Sequence, residues 1–319
     1  MCGIAGLAGA DAARHERTVG AMGTTQAHHG PDGTMHAAAD DGRAVLAMNT
    51  LLIVDQQAMP GPYLDPESGI LLAFNGEIYN YRQQATAWGI PLAPRETDAH
   101  LVLRAWAKLG PSCLDGLDGM FALAVYDPRA GTLFLARDRL GEKPLYWRLD
   151  GGRLAFASEV TTLTGYGPAP LVLRPEVLAI ETPVGADTPF QGIQLLAPAT
   201  LLAFDVATGS LDQHTYWALP DRQPFTGSYR EALAKFSVVL AEQIPLRAPA
   251  GDFALLLSGG LDSSVLAYLL RRPVCSPSAT PVRAGSTSRR SRPGSQPTSA
   301  PNWWWSSRTR PTSPPPCRT

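Results

Sequence analysis

The sequence predicts an α+β domain followed by the opening of an α/β domain. Three observations carry this. Short apolar runs separated by turns fill the first two hundred residues, with few helical patterns among them, as expected of an antiparallel sheet. A stretch holding Pro220, Pro224 and Gly227 then interrupts the pattern. Beyond it, a buried-strand pattern, a Gly-rich turn and a helical run follow one another, which is the first unit of a parallel sheet.

The elements follow in chain order. Val45–Met48, Gly69–Phe74, Met120–Tyr126 and Leu133–Arg137 are apolar runs bounded by Gly, Pro or Asp and are predicted strands. Asp98–Leu109 has apolar residues at helical spacing, with Gly110-Pro111 as its stop. Leu154–Ala157, Gln194–Leu196 and Leu201–Phe204 add strands. Ser228–Leu246 is a predicted amphipathic helix, with Ser228 as N-cap and Glu231 completing a capping box. Asp252–Leu257 is a predicted buried strand, followed by the turn 258–264 and the helical run Val265–Arg271. The resulting division is a domain over 2–211, a linker over 212–227, the start of a second domain over 228–272, and a tail over 273–319.

Composition narrows the function classes. The chain has 319 residues, 27 Lys and Arg against 28 Asp and Glu, and 45% hydrophobic residues. A near-zero charge argues against a dedicated nucleic-acid binder. No apolar run reaches membrane-span length, and the N-terminus lacks the basic start of a secretory signal. Four widely spaced cysteines suggest neither a disulfide framework nor a zinc site, so a reducing, cytoplasmic setting is expected. The six histidines show no metal-ligand spacing, and no metal site is assigned; His28-His29 reads as part of the loop around Gly30-Pro31-Asp32.

Cys2 is the first residue with chemistry. Removal of Met1 would leave its thiol and a free α-amino group on one residue. An α-amino group has an unperturbed pKa of about 7.7–8.0, so it can act as base for that thiol. By position alone, Cys2 reads first as a small hydrophobe near a chain end. Its context is more specific: MCGIAGLAG, HHGPDG, FNGEIYN, RETDAH, LDGMFALAVYD, LARDRLGEKPLY and FASE occur in this order. Together they resemble the glutamine-hydrolysing domain of asparagine synthetases, class II amidotransferases with an N-terminal Cys.

The resemblance implies an N-terminal-nucleophile hydrolase fold, an αββα sandwich of two antiparallel sheets, followed here by an incomplete α/β synthetase domain. It implies that Cys2 attacks the glutamine amide. Asn75 and Gly76 would form the oxyanion hole, where fixed donors stabilise the tetrahedral intermediate. From the residues alone, Asn75-Gly76 also reads as a hairpin turn. Glu77 and Asp98 would engage the glutamine ammonium, and Asp98 equally suits a helix N-terminus. Thr50, Ile53 and Val54 would line the pocket. Two positions depart from the family. Thr50 stands where an Arg clamps the glutamine carboxylate, and a Thr makes no bidentate contact. His29 stands where an Arg precedes Gly-Pro-Asp. Arg43 and Arg95 are candidate substitutes for the clamp.

Ser258-Gly259-Gly260-Leu261-Asp262-Ser263 matches the pyrophosphate loop of ATP pyrophosphatases. By resemblance, Ser258, Gly259, Gly260, Asp262 and Ser263 would bind ATP, with Mg2+ on the phosphates. A complete protein of this kind would take glutamine, ATP and aspartate, deliver ammonia to the adenylated carboxylate, and is compatible with a homodimer. Two alternatives stay open: an amide ligase with another carboxylate acceptor, and a non-catalytic or decayed fragment. From Pro273 onward there is no Asp, Glu, Lys, Leu, Ile, Phe, Tyr or Met. Such a tail buries no core and is predicted to be disordered. It reads either as a basic interaction tail or as an out-of-frame translation. The frame shift is favoured because Trp303-Trp304-Trp305 requires TGG TGG TGG, which becomes GTG GTG, a valine run, when shifted by two bases. Ligation of aspartate by the chain as it stands is therefore not expected.

Overall fold

The computed structural model describes residues 2–53, 58–166, 172–178, 185–221, 223–248, 253 and 255–270. The chain divides into two units, Met1–Pro224 and Phe225–Thr319.

Among its described residues the first unit has twelve strands: β1 (Gly3–Ala8), β2 (Gly33–Ala38), β3 (Ala44–Thr50), β4 (Tyr63–Leu64), β5 (Leu71–Ile78), β6 (Gly119–Asp127), β7 (Thr132–Arg137), β8 (Tyr146–Asp150), β9 (Arg153–Ala157), β10 (Gln194–Leu195), β11 (Thr200–Asp205) and β12 (Leu211–Thr215). Its helices are α1 (Glu16–Thr25), α2 (Tyr81–Ala87), α3 (Asp98–Leu109), α4 (Val160–Thr164) and the short α5 (Pro175–Leu178). The strands form two six-stranded sheets, ordered β10-β8-β9-β1-β3-β2 and β12-β11-β7-β6-β5-β4. Every strand pairing is antiparallel.

Strand alternation explains the layering. Along β3, Ala44, Leu46 and Met48 face one way while Val45 and Ala47 face the other. The first set meets Leu71 and Ala73 of β5 and Ala122 and Ala124 of β6, so the two sheets share one apolar layer. The second set packs under Val19 and Met22 of α1 and Leu163 of α4. On the far side, Leu72 and Phe74 of β5 meet Leu101, Val102, Ala105 and Trp106 of α3. Helix, sheet, sheet, helix is the αββα sandwich expected. Its strands read as nearly continuous apolar runs because both faces of each sheet are covered.

α3 spans the predicted residues, and Gly110 at its end has φ +63, a conformation suited to glycine. One local expectation fails. Asn75-Gly76 is not a hairpin turn; it lies inside β5, opposite Ala122 and Phe121. The dipeptide's turn preference is overridden by eight consecutive pairings with β6.

The second unit shows two helices among its described residues, α6 (Tyr229–Leu246) and α7 (Leu261–Leu269). The capping box predicted for α6 is formed. Ser228 Oγ accepts from Glu231 N–H at 3.4 Å, and Glu231 Oε2 accepts from Ser228 N–H at 2.7 Å. The predicted strand Asp252–Leu257 is not seen: Phe253 and residues 255–257 are outside any strand, and Asp252 and Ala254 lie outside the described residues. A strand needs a neighbour to fill its hydrogen bonds, and none is present among the described residues of this unit. The tail from residue 271 also lies outside the described residues.

Candidate active site

Cys2 immediately precedes β1, at the end of the sandwich where β3 and β5 also stop. By period two, Cys2 shares the inner face with Ile4, Thr50 with Met48, and Glu77 with Asn75 and Ala73. Three separate stretches of sequence thus deliver polar residues to one place. A narrow cleft opens there, lined by Cys2, Thr50, Tyr63, Gly76, Glu77 and Asp98 among others.

The thiol is held by the backbone of the turn after β3. Cys2 Sγ accepts from Leu51 N–H at 3.3 Å and lies 3.7 Å from Leu51 O. Burial pushes the Cys2 thiol above its ordinary range, against the lowering effects of the Leu51 hydrogen bond and the chain's amino terminus. The thiol is therefore the resting form, and attack needs a base.

Gly76 has a structural reason to be glycine. A Cβ there would lie 2.3 Å from Met120 O and 2.7 Å from Phe121 Cα. Its amide direction follows from the register. Phe121 turns both backbone groups toward Asp138, its N–H to Asp138 Oδ2 at 3.2 Å and its C=O to Asp138 N–H at 2.8 Å. Gly76, opposite Phe121, is thus a non-hydrogen-bonded pair and directs its own N–H to the other side of β5. On that side β4 pairs only with Leu71 and Leu72. Ile78 N–H, on the same side, is taken by Asp98 Oδ2 at 2.8 Å. The Gly76 amide therefore faces the open edge beside Asp98. Asn75 is buried on the same strand but is not one of the residues lining the cleft.

Asp98 is the first residue of α3 and is 5% exposed. Its oxygens accept from Ile78 N–H and from its neighbour Ala99 N–H at 2.9 Å. It thus ties the helix N-terminus to the end of β5, as its helix-start position suggests, and it also lines the cleft. Burial outweighs these donors and pushes its pKa up to about 6. Glu77 is pushed up to about 7, first by burial, then by the charge of Asp98, with Lys143 pulling it down. A buried acid, Asp98, and a partly buried one, Glu77, whose proton affinity it raises, form a site that favours an incoming cation.

Thr50 is 2% exposed and its Oγ1 has no hydrogen-bond partner among the described residues. Ile53 lines the cleft from an exposed position, and Val54 lies outside the described residues. Neither candidate substitute for the Arg is there. Arg43 precedes the opposite end of β3, seven residues from Thr50, about 20 Å along the strand. Arg95 is exposed in the loop before α3 and does not line the cleft.

Tyr63 is the site residue that sequence reasoning missed. Burial and the nearby Cys2 and Asp98 push its hydroxyl pKa up. It sits on a two-residue strand after an irregular Pro-Gly-Pro stretch, with no periodicity to reveal it. A second cluster was also not legible. His28 Nε2 and His29 Nε2 lie 2.7 and 2.6 Å from Glu159 Oε1, and the three could hold a metal ion by distance. Glu159 is about 130 residues away in sequence. The two imidazoles and Thr161 hold the Glu159 carboxyl below its ordinary range, against the opposing effect of burial. Cys113 is fully buried beneath α3 and its thiol is pushed up to about 12, so it is inert packing. Arg137 donates to the carbonyls of Lys143 and Leu196 at 2.6 and 2.7 Å and braces the 138–143 turn.

The Gly-rich segment of the second unit is exposed and closed on itself. Ser258 Oγ accepts from Gly260 N–H at 3.2 Å and lies 3.1 Å from Ser263 Oγ, while Gly259 has φ +81. Asp262 falls in the first turn of α7.

Comparison with known proteins agrees with the sandwich and its first residues. Residues 1–217 match the glutamine amidotransferase domain model. Asparagine synthetase [glutamine-hydrolyzing] 2 of Bacillus subtilis is 27% identical over 84% of this chain and 38% of its own length. Asparagine synthetase B [glutamine-hydrolyzing] of Escherichia coli is 30% identical over 85% of this chain and 45% of its own length. The chain thus spans about two fifths of the length of these relatives. The solved structure of the allosteric regulatory enzyme of purine biosynthesis superposes with a TM-score of 0.50 over 93% of this chain and 68% of that one, at 14% identity, a likeness of fold alone. Among the described residues no helix is long and apolar enough to cross a membrane. The match over two thirds of its residues makes the chain a member of the glutamine amidotransferase domain family.

Proposed function

We propose that residues 2–211 hydrolyse the side-chain amide of glutamine through Cys2. The supporting observation is one cleft that gathers the Cys2 thiol, an edge amide at Gly76 and two acids, Glu77 and Asp98. The Cys2 α-amino group, freed by loss of Met1, takes the thiol proton as sulfur adds to the carboxamide carbon. Gly76 N–H receives the oxyanion, and the family resemblance implies the side chain of Asn75, buried behind the cleft wall on the same strand, as the second donor. Glu77 and Asp98 meet the substrate ammonium, and Thr50 and Ile53 line the pocket, with Val54 implied there by the family resemblance alone. Ammonia leaves, and water cleaves the thioester to release glutamate.

The ammonia would serve an ATP-dependent amidation, with aspartate as acceptor, by analogy with the asparagine synthetases that the chain resembles. Across a linker at 212–227, residues 228–272 would begin that synthetase domain. Ser258, Gly259, Gly260, Asp262 and Ser263 are of the types that hold a pyrophosphate and its Mg2+. The free Cys2 and Cys113 thiols suit the reducing cytoplasm.

Glutamate release from glutamine, compared between the chain and Cys2→Ala, tests the reading. Release that disappears in Cys2→Ala is expected. No release from a chain that still melts cooperatively would leave a scaffold without turnover and end the proposal.

A further inference from the structure

Apart from the amino terminus that acts on Cys2, the side-chain charge lining the cleft is acidic: Glu77 and Asp98 face it, and none of its lining side chains among the described residues is Lys, Arg or His. Residues 54–57, which join the lining residues Ile53 and Ala58, read Val-Asp-Gln-Gln and supply no cation from sequence. Lys143, whose charge acts on Glu77, is not among the lining residues. At the end of β3 the cleft offers instead the buried Thr50 hydroxyl, unpartnered among the described residues.

A free α-amino acid brings both charges on one carbon. Here its ammonium meets two acids, which an adjacent cation returns to their ionised form. Its carboxylate meets a neutral hydroxyl and the repulsion of the same two acids. A carboxylate withdrawn from water without a cation is costly, whereas a neutral amide needs only hydrogen bonds, and an unpaired hydroxyl supplies one.

We propose that the cleft selects amide donors with a free α-ammonium and a neutral α-acyl group, such as an N-terminal glutaminyl residue or glutamine α-amide, over zwitterionic glutamine. Thr50 is the residue that sets this preference, its hydroxyl donating to the neutral α-carbonyl. The proposal rests on the amide-hydrolysing reading above. The chemistry is unchanged and balanced. The sulfur–carbon bond forms at the γ-carboxamide, the carbon–nitrogen bond breaks, ammonia carries off the thiol proton, and water then yields the γ-carboxylate and the thiol. The α-acyl group is untouched.

The test measures kcat/KM for γ-amide hydrolysis of L-glutamine, L-glutamine α-amide and glutaminylglycine amide, with products resolved by chromatography so that loss of the α-amide is told apart. Values for the two neutral donors at least tenfold above glutamine are expected, a difference of about 1.4 kcal/mol in transition-state binding. Thr50→Arg should reverse the order by supplying a cation to the carboxylate. The wild-type ratio alone decides the case should that variant fail to fold. Equal or lower values for the neutral donors, with Cys2-dependent turnover of glutamine, overturn the selectivity and leave the amide-hydrolysing reading standing. Cys2-independent or absent turnover of all three overturns both.

Discussion

The two units of this chain invert each other's burial. In Met1–Pro224, polar groups such as Asn75, Asp98 and Arg137 are buried, each on a covered strand or at a helix end. In the described part of Phe225–Thr319 no residue is buried, and Phe236, Val238, Val239 and Tyr268 are exposed. Yet α6 begins at the capping box that the sequence rule expects, and its helix forms. Local signals are enough to shape a helix. They do not supply the second layer that buries its apolar face. A functional site needs that second layer: burial is what raises Glu77 and Asp98 and holds Cys2 as a thiol.

The largest expected effect exploits this contrast. Trp106 lies fully buried between α3 and the second sheet, whereas Phe236 is 60% exposed. Trp106→Ala should cost about 3–5 kcal/mol, and Phe236→Ala should stay within about 0.5 kcal/mol. Denaturant titration of the full chain measures both, and a large loss at Phe236 would mean that α6 has a partner face.

Two glycines sharpen the comparison next. Gly76→Ala places a methyl against the Met120 carbonyl and should cost about 1–3 kcal/mol together with most of the turnover. Gly259→Ala opposes a positive φ, but nothing lies within 4 Å of its would-be Cβ. It should leave the main unfolding transition unmoved, because no buried layer transmits its strain. A shifted midpoint in Gly259→Ala would contradict this.

The acids predict a pH signature confined to the first unit. Glu77 has its pKa pushed up to about 7 from an ordinary value near 4.5. Between these values the folded state binds more protons than the unfolded chain, so stability falls as pH rises through this window. Glu77→Gln should flatten the fall between pH 4.5 and 7, by a margin on the order of 2 kcal/mol. An unchanged slope would remove Glu77 from the desolvated set.

The smallest effect is local to α6. Ser228→Ala removes the hydroxyl half of the capping box and should weaken the helix by about 1 kcal/mol. Hydrogen exchange of the α6 amides should quicken while the first unit's amides keep their rates.

Much of this protein follows from sequence patterns with short-range causes. Apolar runs closed by turns placed β3, β6, β7, β9 and β11. The helical period and Gly110 bounded α3, and Ser228 with Glu231 began α6. These work because capping, periodicity and turn chemistry act over a few residues. The candidate site was legible as residue types, through Cys2, Gly76, Glu77, Asp98 and the exchange at Thr50. What the three-dimensional fold alone decided is how they meet. Asn75-Gly76 became strand because β6 pairs along it. The β5–β6 register turned the Gly76 amide away from β6, and β4, which pairs only with Leu71 and Leu72, gives it no strand partner. Tyr63 entered the cleft from a segment with no pattern, and Glu159 reached His28 and His29 across about 130 residues. The strand expected at 252–257, not formed at its described residues, is the same lesson in reverse. Its residues have strand-like sequence, but the pairing, burial and charge that decide a strand or a site belong to neighbours distant in sequence, and no local pattern encodes a neighbour.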